Sequence, residues 1–232
     1  MPLPTVILPG YLAGAGPYRE MEQALESLGF VVATVPLKRS DWFPTLGGRS
    51  VTPILEQLDA TVKRVQDKTG SDRLNLVGHS AGGWISRIYL GEVPYLIHAG
   101  DRTKTGLWKA HPQISTLITL GTPHTSQERW TKRNLNFVKD NYPGAFYPTV
   151  RYICVAGKSI YGQRLRSWFA HSSYELTCGQ GTCWGDGITP IEAAHLDGAT
   201  NLTLENVLHS PRPGKLWYGS ASIVPHWATY LQ

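Results

Sequence analysis

"LNLVGHSAGGW", Leu74 to Trp84, sets a serine between two glycines, each two positions away. Leu74 to Val77 is a short apolar run of the kind that forms a buried strand. Beyond the serine, Trp84, Ile88 and Tyr89 recur at helical spacing. Ser80 therefore stands on a turn from strand to helix. Gly-x-Ser-x-Gly in that context is the signature of a serine nucleophile on a sharp turn. The glycines have a steric reason: such a turn strains the serine backbone, and side chains at 78 and 82 would collide with neighbouring elements. The following helix aims its free amides and positive dipole end at the reacting centre. A glycine-rich turn carrying an idle serine is the plain alternative, and the rest of the chain decides between the two.

Outward from this turn, strands and helices alternate. Short runs rich in β-branched residues lie at Thr5 to Gly10, Phe30 to Leu37, Arg73 to Gly78, Ile114 to Gly121 and Arg151 to Gly157. They are nearly continuous apolar runs, as in parallel strands buried on both faces. Asn201 to Leu208 alternates apolar and polar residues and reads as an edge strand. Helical spacing predicts helices over Tyr18 to Gly29, Ile54 to Gly70 and Ala81 to Glu92, the first two closed by glycine caps. A last helix is expected in Ala221 to Leu231, with Pro225 tolerated only in its first turn. Alternation of this kind specifies a doubly wound parallel α/β sheet.

Composition is consistent with one such domain. The chain has 232 residues, 41% of them hydrophobic and 17% charged, which is long enough for a substantial core. No run is long and apolar enough to span a bilayer. The N-terminus, "MPLPTVILPG", shows no basic, cleavable leader pattern, so a cytoplasmic location is expected. The net charge of +5 is spread over small groups: Lys38-Arg39, Arg102 with Lys104, Lys132-Arg133, and Arg164 with Arg166. Scattered basic residues without a recognition motif argue against nucleic acid as a partner. Three cysteines are too few for a disulfide framework. Cys154 reads as a core residue, while Cys178 and Cys183 are either two free thiols or a pair across a glycine-rich loop. Metal-ligand spacing is absent from the sequence.

A serine nucleophile needs a base, and the base an orienting acid. Asp186 lies between glycines in "CWGDGITP", after the fifth strand-like run. It is the expected acid, ahead of a plain Asp-Gly turn and of Asp197. Of eight histidines, His209 follows directly on the last strand in "NVLHSP", where a base must lie to reach a serine at the same sheet edge. His226 and His195 are the weaker alternatives; His79 adjoins Ser80 and should point away from it. Two amides should form an oxyanion hole. One is the N–H of Ala81, and the other is that of Tyr11, in the loop "ILPGYLAGAG" that Gly10 lets pass close by.

At this point the sequence resembles the α/β hydrolases of the small serine lipase and esterase type. "PGYLAGAGPY" matches their oxyanion loop, "GHSAGG" the nucleophile turn, "GDGITP" the acid loop and "NVLHS" the histidine loop, in the family's order from end to end. Within that group it is similar to lipase-like hydrolases of cyanobacteria and plant plastids. The resemblance implies a minimal α/β-hydrolase domain over 1–232. About six mainly parallel strands would carry helices on both faces and a small cap made by loop insertions at 122–149 and 158–185. Pro9-Gly10 stands where many lipases carry His-Gly, so the oxyanion assignment rests on position. The implied reaction is ester hydrolysis through an acyl-enzyme, with Ser80 as nucleophile, His209 as base and Asp186 as its orienter, requiring no cofactor or metal.

Substrate contacts are expected from Leu12, His79, Trp130 and Trp168. The loops around the site also hold Trp42, Phe43, Phe137, Phe146, Tyr147, Phe169 and Trp184. An apolar acyl or lipid ester suits that lining. Lys132, Arg133, Arg164 and Arg166 would then meet lipid headgroups in a peripheral membrane contact; alternatively the aromatics simply pack a cap onto the sheet. The same residues would serve thioester or amide hydrolysis, and a retained hydrolase fold can also serve as a non-catalytic binding protein.

Overall fold

Residue alternation along each central strand sorts the core into two layers. In the computed structural model, which describes residues 2–97 and 106–232, strands β1 (Thr5–Leu8), β2 (Val32–Thr34), β3 (Leu74–His79), β4 (Ile114–Leu120) and β5 (Arg151–Lys158) are joined by a sixth, Thr200–Glu205. Val6 and Leu8 of β1, with Leu74 and Leu76 of β3, face one apolar cluster. Ile7 and Val77 face the other, as the two-residue period of a strand requires. Helices cover both sides. Helix α2 (Thr52–Thr69) and helix α3 (Ala81–Leu90) pack on the first layer. Helix α1 (Arg19–Ser27) packs on the second with the short C-terminal turn of helix Val224–Ala228, whose Pro225 does sit in its first turn. Gly70 caps α2 in the left-handed conformation, as the sequence predicts.

Two short strands, β6 (Ile160–Tyr161) and β7 (Trp184–Gly185), form an antiparallel pair outside the main sheet. The sixth main-sheet strand is therefore β8. The main sheet runs β2-β1-β3-β4-β5-β8, with every neighbouring pair parallel. Strand order reverses between β1 and β3: the chain leaves β1 towards β2 and leaves β3 towards β4. The carboxyl ends at such a reversal open a crevice. The turn bearing Ser80 and the loop bearing Gly10 both leave the sheet there.

Strand β8 pairs only with β5, so it is an edge strand, and it ends at Glu205. It stops short of Leu208 because Asn206 adopts φ +60 and turns the chain, sending His209 back across the sheet end. Insertion 122–149 holds helix α4 (Arg129–Asn141). Its Leu135 and Val138 are buried in the first core layer. Helix α4 is thus a crossover helix covering the sheet, while Pro123, Ser126, Glu128 and Thr131 of the same segment border the cavity beside Ser80. The narrow stripe of Leu135, Val138 and Tyr142 in an otherwise polar run explains why it reads from sequence as an insertion. Segment 158–185 carries β6, helix α5 (Trp168–Cys178) and β7. Cys154 is buried in the core, and Cys178 and Cys183 are free thiols. Among the described residues no helix is long and apolar enough to cross a membrane.

Candidate active site

Ser80 has φ 53 and ψ −123, a backbone state that costs a non-glycine residue roughly 1–3 kcal/mol. The turn is held from both sides: its N–H donates to the Leu120 carbonyl at 2.8 Å, and its carbonyl accepts from Thr122 Oγ1 at 2.8 Å. The glycines give the room. A Cβ on Gly78 would stand 2.5 Å from Gly83 Cα, and one on Gly82 would stand 2.3 Å from the Leu8 carbonyl oxygen. Backbone obstructs both, so nothing flexible is there to yield.

Three loops bring the expected triad together. His209 Nε2 lies 3.0 Å from Ser80 Oγ, and His209 Nδ1 lies 2.8 Å from Asp186 Oδ2. Asp186 is 1% exposed, so its partners come from the protein. Its Oδ1 accepts from the amides of Ile188 at 2.9 Å and Thr189 at 2.7 Å. Its Oδ2 accepts from His209 and from the Tyr218 hydroxyl at 2.7 Å. Burial alone would raise the carboxyl pKa, but His209 and the two amides outweigh it, and the net shift is downward. Asp186 thus stays an anion, and His209 keeps its proton on Nδ1 and its lone pair on Nε2, facing the serine. Tyr218 is held well above the ordinary tyrosine pKa by burial and by the neighbouring carboxylate, so it is a permanent donor.

The loop after β1 closes on the other flank. A Cβ on Gly10 would lie 2.9 Å from Ser80 Cβ and 3.0 Å from His79 Nδ1, so only glycine lets the backbone come this near. The next amide is that of Tyr11. Neither it nor the Ala81 amide has a hydrogen-bond partner among the described residues. Beside Ser80 opens a cavity of about 480 Å³, within the usual range for small-molecule sites. Trp168, Phe169, Leu176 and Ile188 give it apolar walls, while Ser126, Thr131 and Glu128 give it a polar side.

Known proteins agree with this architecture. No family model matches the chain. The Bacillus licheniformis lipase BlEst2, in mature form, superimposes with a TM-score of 0.61 at 20% identity, over 98% of this chain and 89% of that one. A Xanthomonas campestris protein described as a hydrolase of the alpha/beta superfamily gives a TM-score of 0.50 at 13% identity, over 99% of both chains. The fold is that of the α/β hydrolases. In sequence, a triacylglycerol lipase of Pseudarthrobacter phenanthrenivorans is 36% identical over 73 residues, which are 32% of this chain and 18% of that protein. A triacylglycerol lipase of Burkholderia plantarii is equally identical over a stretch of the same length, 16% of its own chain. The chain thus matches under a fifth of these curated relatives.

Within this α/β-hydrolase frame the other expected residues fall out unevenly. Trp168 borders the cavity, 65% exposed. Leu12 takes φ +57 in the loop after β1 and packs against the first core layer. Trp130 belongs to α4, but its side chain is outside the described residues, as are Arg102 and Lys104 altogether. His79 is not a cavity residue. It is 4% exposed, with Nδ1 on the Tyr18 hydroxyl at 2.6 Å and Nε2 on the His209 carbonyl at 2.8 Å. The alternation of β3 turns position 79 away from the serine and into the second layer. His226 is exposed on the C-terminal helix, and His195 contacts Thr203. Sequence reasoning missed Tyr18, Thr122, Thr189 and Tyr218, because a buried tyrosine or threonine that orients a loop looks like any other core residue. Gly121 and Gly157 left a fainter trace at the strand ends. A Cβ at Gly121 would meet Asp186 Oδ2 at 2.6 Å, and one at Gly157 would meet Asp186 Cβ at 3.0 Å.

Proposed function

We propose that this chain hydrolyses carboxylic esters with apolar acyl groups, by acyl transfer through Ser80. The observation that carries the reading is the His209 imidazole set between Ser80 Oγ at 3.0 Å and Asp186 Oδ2 at 2.8 Å. His209 Nε2 takes the serine proton as Oγ attacks the ester carbonyl. Asp186 steadies the imidazolium that forms, and the carbonyl oxygen gains its negative charge in front of the Tyr11 and Ala81 amides. Collapse expels the alcohol, which receives the proton from His209. Water then repeats the sequence and frees the acid. The partial matches to triacylglycerol lipases support an ester as the substrate.

Trp168, Phe169, Leu176 and Ile188 would hold the acyl chain, and Ser126 and Thr131 the oxygens of the alcohol part. Segment 158–185 acts as the cap in this reading. Leu165 is 94% and Phe169 54% exposed beside Arg164 and Arg166, a combination suited to touching a lipid surface. The test is hydrolysis of p-nitrophenyl esters from acetate to palmitate, wild type beside Ser80→Ala. Activity on esters that disappears in the variant supports the proposal. Equal rates in both proteins overturn the nucleophile. A protein inactive on esters but active on matched thioesters or amides overturns the substrate class.

A further inference from the structure

We infer that Tyr18 and His79 are positioning residues, a buried relay that ties the oxyanion loop to the backbone of the catalytic base. The inference rests on the proposed acyl transfer only for its kinetic consequence, since the relay itself is defined by hydrogen bonds outside the triad. Those bonds form one continuous path. The Gly10 amide donates to Tyr18 Oη at 2.8 Å, Tyr18 Oη meets His79 Nδ1 at 2.6 Å, and His79 Nε2 meets the His209 carbonyl at 2.8 Å.

Donor and acceptor inventories fix every direction along it. An amide only donates, so Tyr18 Oη accepts from Gly10 and turns its own proton to His79 Nδ1. A carbonyl only accepts, so His79 Nε2 carries the ring proton. His79 is therefore neutral and held in one tautomer. Adding a proton to Nδ1 would leave the Tyr18 hydroxyl without an acceptor in a dry site, since Tyr18 is 1% exposed. Burial, with His209 as the next cause, pushes His79 down to about 3, in keeping with a neutral ring. The rings around it are His209, Tyr218 and Trp217, at ring-centre distances of 4.9, 5.9 and 5.8 Å, with Tyr18 in edge contact at 5.7 Å. The Asp186 carboxylate pulls His79 the other way, but burial and His209 outweigh it. A neutral neighbour is what the base requires, because a second imidazolium would oppose the one that His209 becomes during reaction.

The relay explains why position 79 is a histidine with no face on the cavity. Gly10 immediately precedes the Tyr11 amide, and His209 carries the base, so one rigid chain of bonds sets donor and base relative to each other across Ser80. A shift in either displaces the oxyanion donors from the serine, and small displacements of this kind cost rate more than binding.

Imidazole nitrogen NMR of the wild type, with kinetics of Tyr18→Phe, His79→Gln and His79→Phe on a short soluble ester, tests this. The spectrum should show His79 protonated on Nε2 only, without titration between about pH 5 and 7, where ordinary histidines change charge. Tyr18→Phe should lower kcat about 10- to 100-fold with KM held within about twofold. His79→Gln, which keeps a donor for the His209 carbonyl, should retain more activity than His79→Phe. A proton on Nδ1, or titration in that range, overturns the relay. So does a Tyr18→Phe enzyme whose loss merely follows its folded fraction, or equal rates for the two His79 variants. A wild type inactive on every ester, with His79 still in the Nε2–H form, removes the proposed hydrolysis and upholds the relay.

Discussion

Asp186→Asn should disable the base without disturbing the fold, for a reason specific to this site. Oδ1 of Asp186 accepts from the Ile188 and Thr189 amides at 2.9 and 2.7 Å, and amides cannot face the NH2 end of an asparagine. The new side chain is therefore locked with its oxygen on those amides. Its NH2 then points to where Oδ2 now meets His209 Nδ1 at 2.8 Å. Facing a donor, His209 must present Nδ1 as a lone pair and move its proton to Nε2. That proton points at Ser80 Oγ, and the ring can no longer receive one from it. Wrong-tautomer imidazoles in serine hydrolases lose about ten-thousandfold in kcat, equivalent to about 5.5 kcal/mol of barrier. Tyr218 Oη still accepts from the Gly157 amide at 2.7 Å, which anchors the loop, but its own proton loses Oδ2 as acceptor, so the variant should fold with a lowered melting temperature. The assay is kcat on p-nitrophenyl butyrate beside a circular-dichroism melt. A loss below about tenfold, which is about 1.4 kcal/mol, would refute this tautomer argument.

Other perturbations read different parts of the structure. Tyr218→Phe removes a charge-assisted bond to Asp186 and strands the Gly157 amide, so denaturant titration should show a loss of about 1.5–3 kcal/mol, with reduced kcat. Gly82→Ala puts a methyl 2.3 Å from the Leu8 carbonyl oxygen, and it should fail to accumulate as folded protein, whereas Gly16→Ala, with nothing within 4 Å, should fold normally. Acid should destabilise the protein early. The folded-state values of His79 and His124 are depressed by burial below the ordinary 6.5. The unfolded chain therefore binds more protons below that value, and stability falls as pH drops through it. His79, held down at about 3, contributes a loss of about 2 kcal/mol by pH 5; His124 acts in the same direction, and urea midpoints at pH 7 and 5 measure the sum. Trp168→Ala and Phe169→Ala should slow long-chain esters while sparing acetate; equal loss on both would assign these rings to packing.

Much of the candidate site's arrangement was legible because its residues are tied to element order. Ser80 needed only a strand before it and a helix after it, and His209 only its place after the last apolar run. Asp186 stood out through its flanking glycines. What stayed hidden depends on three-dimensional closeness. Tyr18 is far from His79 in sequence, and nothing local marks it as the acceptor of the Gly10 amide. His79 points away from the serine as expected, but the substrate contact also expected of it is not made, because strand alternation buries it against Tyr18 and the His209 carbonyl in the opposite layer. Helix α4 was obscured by polar residues that dilute a stripe of Leu135, Val138 and Tyr142. The end of β8 was set by the positive φ of Asn206, which propensity does not foretell.

The most direct test of the central claim, that Ser80 is a nucleophile driven by His209, is covalent capture. The protein is incubated with diethyl p-nitrophenyl phosphate and its tryptic peptides are read by mass spectrometry. The account predicts a single diethylphosphoryl group, on the Ser80 peptide, absent from Ser80→Ala and formed far more slowly in His209→Ala. An unmodified Ser80 peptide, or labelling at an equal rate without His209, would contradict it.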